Sequence, residues 1–365
     1  MAKLAVDQAL LKAKSHAKKG DIEEAQKLYK KVLQAFPKNK RAQKGLDALK
    51  KLKKSTAYQT PPQEISNQLS NLYNQGQLKA VVEQANLLTA LYPEALFVWN
   101  MLGIATAQTG QIDKAITAFQ RVIAIKPDYP DAYNNMGNAL REQGKSEEAI
   151  ASYNKALSLK PDYAEAHSNL GNTLQELNRI DDAVENFRKA ILLKPDFVET
   201  HFNLANALQR AEQYVEAVVV YKRAIDLNPK HEVAFNNLGL ALSKLGYLKE
   251  AETQFKNALK LIPNYYEAHL NIGNLHYALQ QFEQAEEDYQ KAIAIQPNNA
   301  AAYLNLCELY EKTNKLTDVL SVVKNVRDKT SSKEDEFLLF EAFVLFRLDR
   351  FQFVEEIISK INLDK

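Results

Sequence analysis

The 365-residue chain has a single cysteine, Cys307, so no internal disulfide framework can hold it together. It has one tryptophan, 11 glycines and 11 prolines, few enough that their places say more than their number. No run approaches the roughly 18 apolar residues that mark a membrane helix. The N-terminal Met-Ala-Lys-Leu-Ala-Val-Asp-Gln is broken by Lys3, Asp7 and Gln8 before an apolar signal-peptide core can form. No Asn-x-Ser/Thr triplet occurs among 29 asparagines. These absences predict a cytoplasmic protein with no membrane span. Net charge is nearly missing too: 47 Lys and Arg stand against 45 Asp and Glu, a formal +2. With 46% hydrophobic and 25% charged residues, gross disorder and a collagen-like fibre are excluded. Near-neutrality is a cancellation. Residues 1–60 hold 16 Lys and Arg against 5 Asp and Glu, a net of +11, while residues 61–365 hold a net of −9.

The scarce prolines set a period. Pro93, Pro127, Pro161, Pro195, Pro229, Pro263 and Pro297 follow one another at intervals of 34 residues. With proline as position 32, repeats begin at 62, 96, 130, 164, 198, 232, 266 and 300. Position 20 is then Ala115, Ala149, Ala183, Ala217, Ala251 and Ala285. Position 24 is aromatic, from Phe119 and Tyr153 to Phe255 and Tyr289, and position 8 is small, from Gly103 to Cys307. Positions 4, 7, 8 and 11 form one helix face and 20, 24, 27 and 28 another, so each repeat is predicted to be a helix–turn–helix. Gly or Asn at position 15 suits the left-handed residue that ends a helix, with Glu212 and Gln280 as exceptions. Proline ends the second helix. Asp128, Asp162, Asp196, Asn264 and Asn298, next in line, are expected to N-cap the following one.

This pattern resembles the tetratricopeptide repeat. Trp99, Leu102, Gly103, Ala115, Phe119 and Pro127 match its Trp-x2-Leu-Gly-x2-Tyr, Ala-x3-Phe and Pro signature, with Thr106 departing at the Tyr position. The resemblance implies an all-α fold, a right-handed superhelical solenoid of stacked helical hairpins, and binding rather than catalysis. The predicted organisation is a basic repeat-like unit plus helix at 1–54, a linker at 55–64, eight repeats at 65–333 with degenerate ends, and a helix pair at 334–365. A single repeat cannot bury its own apolar face, so neighbours supply the stability.

In this family the first helices line the concave side. At 100° per residue, positions 2, 6, 9 and 13 lie opposite the packing face. Position 6 is Asn135, Asn169, Asn203, Asn237, Asn271 and Asn305, and position 9 adds Asn138, Asn172, Asn206 and Asn274. Helix propensity does not favour asparagine. Two accounts stay open: these side chains bind ligand, or position 6 reflects recent duplication and helix packing. An Asn side chain has the donors and the acceptor of a peptide group, so a column of them can pair with an extended polypeptide. The column is similar to the asparagine ladder of O-linked N-acetylglucosamine transferases. The first full repeat offers Phe97, Met101 and Ile104 as an apolar mouth, and Asp131, Glu142, Glu165, Glu176, Glu199, Glu267 and Glu308 outnumber Arg210, Lys244 and Lys312. That balance favours peptides carrying Lys or Arg and makes nucleic acid an unsuitable partner.

Other signals dissolve. Gly144-Lys145-Ser146 lacks the preceding glycine of a phosphate loop, because Ala139 stands in its place. His167, His201, His269 and His276 occupy packing positions, and Cys307 takes a small buried slot, so neither a metal nor a cofactor is expected. The lead expectation is a non-catalytic scaffold for a protein or extended peptide, with an enzyme as a further candidate partner. One alternative is the recruitment arm of a glycosyltransferase, oxygenase or sulfotransferase, since only 32 residues follow position 333. The other is binding of RNA or an anionic membrane through the lysines of residues 38–54.

Overall fold

The computed structural model describes residues 2–18, 22–57, 61–327, 334–348, 353–354 and 357. Among them are twenty α-helices and no strand. The chain divides into two compact units, Met1–Pro161 and Asp162–Lys365.

The N-terminal unit contains α1 (Ala2–Lys18), α2 (Ile22–Ala35), α3 (Lys40–Ala57), α4 (Gln63–Asn74), α5 (Leu78–Leu91), α6 (Leu96–Gln108), α7 (Ile112–Ile125), α8 (Pro130–Glu142) and α9 (Ser146–Leu159). The C-terminal unit contains α10 (Ala164–Glu176), α11 (Ile180–Leu193), α12 (Val198–Arg210), α13 (Tyr214–Leu227), α14 (Glu232–Lys244), α15 (Leu248–Leu261), α16 (Tyr266–Ala278), α17 (Phe282–Ile295), α18 (Ala300–Lys312), α19 (Leu316–Arg327) and α20 (Glu334–Arg347). Each full repeat is therefore a 13-residue first helix and, from α7 to α17, a 14-residue second helix. Of the segment expected as a linker, residues 58–60 lie outside the described residues. Ser55–Ala57 continue α3, and α4 opens at Gln63. Most of the second helix expected after residue 350 lies outside the described residues.

The repeat positions act through contact. The position-24 rings Phe119, Tyr153, Phe187, Tyr221, Phe255 and Tyr289 are among the most deeply buried side chains. A β-carbon on Gly137 would lie 2.5 Å from the ring of Tyr153, so the first helix reaches the second only because position 8 is small. Position 15 is left-handed in every full repeat, and the constraint is strong enough to hold Glu212 at φ 59° and Gln280 at φ 60° where glycine fits best.

The expected N-caps do not form. Asp128, Asp162, Asp196 and Asn264 lie in the turns, and Tyr129, Tyr163, Phe197 and Tyr265 precede the helices with no side-chain cap bond. Asn298 likewise yields to Asn299, which accepts from the amide of Ala301. The turn is instead tied from inside the helix. At position 4, Trp99 donates to the carbonyl of Pro93, Tyr303 donates to that of Pro297, and a ring nitrogen of His201 or His269 bonds that of Pro195 or Pro263, all at 3.0–3.1 Å. These histidines pack, as their position predicts, and also hold the preceding turn.

Within each unit a second helix packs on the first helix of the next repeat. Consecutive first helices also touch: α4 with α6, α6 with α8, α10 with α12, α12 with α14, α14 with α16 and α16 with α18. Consecutive second helices stand further apart, with a cleft of about 490 Å³ along α11 lined by Val184, Arg188, Leu192 and the turn residue Gln213. The first helices therefore form the tighter, inner layer of each stack.

Candidate peptide-binding face

Position 6 and position 9 of the first helices meet across repeats. In the C-terminal unit, Asn203 on α12 donates its amide to Oδ1 of Asn172 on α10 at 2.9 Å. Asn237 on α14 donates to Asn206 on α12 at 3.0 Å, and Asn305 on α18 donates to Asn274 on α16 at 2.7 Å. Position 9 is anchored a second time where position 24 is tyrosine. Tyr221 donates to Asn206 Oδ1 at 2.6 Å and Tyr289 to Asn274 Oδ1 at 2.9 Å. In the N-terminal unit Tyr153 does the same to Asn138 at 2.8 Å. Each buried phenol thus has an acceptor, and burial pushes the Tyr221 and Tyr289 hydroxyls well above their ordinary range.

The repeat starting at 232 lacks the acceptor, because Leu240 occupies position 9. Asn271 turns instead to Oδ1 of the buried Asn236 at position 5, 2.9 Å away. Asn236 in turn donates to Asn237 Oδ1 at 3.2 Å, so the amides of Asn271, Asn236, Asn237 and Asn206 form one continuous relay.

These bonds change what the column offers. It is not a row of idle amides, because every position-6 amide from Asn203 to Asn305 is engaged with a neighbour. The engagement is one-sided. Among the described residues, Asn172, Asn206 and Asn274 use their oxygens and keep their NH2 groups without a protein acceptor, while Asn203, Asn271 and Asn305 use their NH2 groups and keep their oxygens without a protein donor. All the asparagines of the column, Asn135, Asn138 and Asn169 included, are half-buried, except Asn274, which is exposed. The Asn172–Asn203 and Asn274–Asn305 clasps therefore fix both side chains and leave one donor and one acceptor each, whereas the Asn237 oxygen is taken by Asn236.

Other parts of the expected face differ. Met101 is buried in the core and not presented, which leaves Phe97 as the exposed part of the apolar mouth. Glu165 pairs with Lys194 at 3.1 Å, and Arg210 bonds the carbonyl of Gln175 and the side chain of Asn178, both at 2.9 Å. Glu142, Glu176, Glu199, Glu267 and Glu308 are exposed. Among the described residues no group of three or more His, Cys, Asp or Glu side chains is placed to hold a metal ion. The Cys307 thiol is buried and pushed up to about 12, which makes it inert. No helix among the described residues is long and apolar enough to cross a membrane. The apolar side of α3, through Ala42, Leu46 and Leu49, is buried in the core it forms with α1 and α2.

Family models of the tetratricopeptide repeat match residues 10–46, 103–140, 137–178, 164–197, 198–231, 233–265 and 266–299. The chain belongs to the tetratricopeptide repeat family. No curated protein matches it. Among solved structures it is similar to YrrB, described as a TPR protein with an unusual peptide-binding site, at 30% identity over 52% of this chain and 97% of that one, with a TM-score of 0.47. The C-terminal part of a TPR repeat-containing protein from Cytophaga hutchinsonii shares the fold at 15% identity, over 66% of this chain and 99% of that one, with a TM-score of 0.54. The APC/C hetero-tetramer Cut9–Hcn1 does so at 19% identity, over 79% of this chain and 52% of that one, with a TM-score of 0.53.

Proposed function

We propose that the chain is a non-catalytic scaffold that holds extended polypeptide across the first helices of a unit, with Asn135 and Asn138 as contacts in the N-terminal unit and Asn169, Asn172, Asn203, Asn206, Asn237, Asn271, Asn274 and Asn305 as the column of the C-terminal unit. The observation that carries this is the half-used amide. The Asn172–Asn203 and Asn274–Asn305 clasps each offer one donor and one acceptor, the valences of a peptide group, on side chains whose rotamers are already fixed. Ordering those side chains in advance removes part of the entropy that binding would otherwise cost. Packed helices lie about 8–10 Å apart and an extended chain rises about 3.3 Å per residue, so a strand crossing the layer meets a clasp at roughly every third residue. Five or six such bonds give roughly 3–8 kcal/mol before the peptide is ordered, which sets affinities at about micromolar or weaker. The exposed carboxylates beside the column favour peptides that also carry Lys or Arg.

The test must separate binding from stability, because an Asn-to-Ala change would also open a clasp. Asn172→Asp, Asn206→Asp and Asn274→Asp keep the accepting oxygens and replace only the outward NH2. For an uncharged peptide selected from a random-sequence library, the triple variant should bind at least about tenfold more weakly by calorimetry while melting within a few degrees of the parent. Unchanged affinity in a folded triple variant removes the column from the binding site.

A further inference from the structure

The first repeat-like unit keeps the buried tyrosine and loses its partners. With a repeat begun at residue 6, Tyr29 on α2 stands at position 24, and it is 4% exposed. In the tyrosine repeats further along, that phenol donates to an asparagine fifteen residues earlier, Asn138, Asn206 or Asn274. Fifteen residues before Tyr29 is Lys14, whose ammonium has no lone pair to accept with. Sixteen residues after Tyr221 comes Asn237, whose side chain also reaches the phenol. Sixteen after Tyr29 comes Gly45, which has no side chain to offer. Among the described residues nothing accepts from the Tyr29 hydroxyl. Burial pushes that hydroxyl above its ordinary range, so at neutral pH it is a donor.

The hydroxyl opens on a cleft of about 380 Å³ between α1 and α3, within the size range of small-molecule sites. A β-carbon on Gly45 would lie 2.4 Å from the Tyr29 ring and 2.9 Å from its oxygen, so the polar end of the ring takes the space of the missing side chain. Leu10, Leu49 and the small Ala17 and Ala48 give the cleft apolar walls. Its remaining polar side chains, Lys14, Arg41 and Lys44, are all cations. Arg41 pairs with Asp7 at 2.8 Å, which leaves the exposed Lys14 and Lys44 without a counter-charge. The cleft therefore presents side-chain donors and no carboxylate of its own. A peptide backbone brings donors that would find no acceptor there, and a nucleic acid would find no open aromatic face, because the Tyr29 ring is buried. The group that fits is an acceptor only, negatively charged and carried on carbon.

We propose that this cleft binds a small amphiphilic carboxylate, an apolar chain ending in one carboxylate group, whose oxygens accept from the Tyr29 hydroxyl and pair with Lys14 and Lys44 while the chain lies along Leu10 and Leu49. The site uses none of the asparagines, so it stands or falls apart from peptide binding.

The probe is sodium decanoate, titrated by calorimetry into the full chain well below the concentration at which it forms micelles. Binding should saturate near one per chain with a Kd below about 1 mM. Decanol, which lacks the charge, should bind at least about tenfold more weakly, and raising salt from about 50 to about 500 mM should weaken decanoate severalfold. Tyr29→Phe removes one oxygen that has no protein partner, so it should leave the melting temperature unchanged and weaken decanoate at least about tenfold. Lys14→Asn returns to the phenol the acceptor of the later repeats and should also weaken decanoate while raising the stability of the head. A chain that takes up no decanoate, decanol bound as well as decanoate, or full affinity in a folded Tyr29→Phe variant would overturn the proposal. So would capture of RNA or anionic vesicles by the lysines with no uptake of decanoate.

Discussion

Repeats with tyrosine at position 24 and repeats with phenylalanine share one backbone and differ by one buried oxygen. In the three tyrosine repeats between residues 130 and 299, position 9 is asparagine: Asn138 with Tyr153, Asn206 with Tyr221, Asn274 with Tyr289. In the phenylalanine repeats it is Ile104, Asn172 or Leu240. A buried hydroxyl without a partner costs about 1–3 kcal/mol, so tyrosine at 24 calls for an acceptor and phenylalanine does not. Asn206 and Asn274 therefore have a structural reason to be there before any ligand is considered. Asn172, beside Phe187, has only its bond from Asn203. The phenylalanine repeat starting at 164 is where the column is least explained by packing.

The largest effect that can break this comparison is removal of the ring. Phe187→Ala and Tyr221→Ala should each cost about 3–5 kcal/mol by denaturant unfolding, because both rings are fully buried. A repeat array unfolds by segments, so the loss should be read as an early local transition.

A smaller effect sharpens it. Phe255→Tyr places a phenol opposite Leu240 and should destabilise by about 1–3 kcal/mol, and adding Leu240→Asn should recover most of that. Recovery in the double variant ties tyrosine to its asparagine; equal damage with and without Leu240→Asn would separate them.

The acid limb offers a third distinction. In the last of the tyrosine repeats, Glu252 of the preceding repeat lies 3.8 Å from His276, which bonds the buried Asp288 at 2.8 Å. The hydrogen bond from Lys256, assisted by the charges of Lys256 and His276, holds the Glu252 carboxyl below its ordinary range. Its stabilisation is present above the ordinary carboxylate range and is lost as pH falls through the lowered value. Glu252→Gln should lower the melting temperature at neutral pH and change little at low pH, so that the acid limb of the melting profile flattens.

The smallest effect has the opposite sign. Glu212→Gly and Gln280→Gly relieve left-handed backbone at φ 59° and 60° in two of the three turns that end first helices of tyrosine repeats; the third already has Gly144. Each should raise stability by up to about 1 kcal/mol in thermal unfolding. Among the phenylalanine repeats Gly110 and Gly246 already occupy this position, and Asn178 holds it at φ 60°.

Much of the fold was legible because the 34-residue spacing of proline, alanine and the aromatic ring is a direct record of helix length and closest approach. The left-handed turns followed from Gly76 and Gly110, and extended to Glu212 and Gln280 because the register overrides their side chains. The caps were misread. The helix starts at Pro130, two residues beyond Asp128, and the donor that secures the turn is at position 4, reaching back six residues. Helical spacing identified the asparagine face but could not give the distance between position 6 of one repeat and position 9 of the one before. That distance depends on how first helices cross. The signal that carried it was the coincidence of tyrosine at 24 with asparagine at 9. Asn236 was hidden for the same reason, since its role exists only because Leu240 has displaced the usual acceptor.

The most direct measurement is side-chain amide exchange by 15N NMR, followed by titration with a selected peptide. Before peptide, the NH2 groups of Asn203, Asn237 and Asn305 should be protected, while those of Asn172, Asn206 and Asn274 exchange freely; on titration the second set should shift and become protected. Six amides equally exposed at the outset, or peptide saturation that leaves Asn172, Asn206 and Asn274 unmoved, would contradict it.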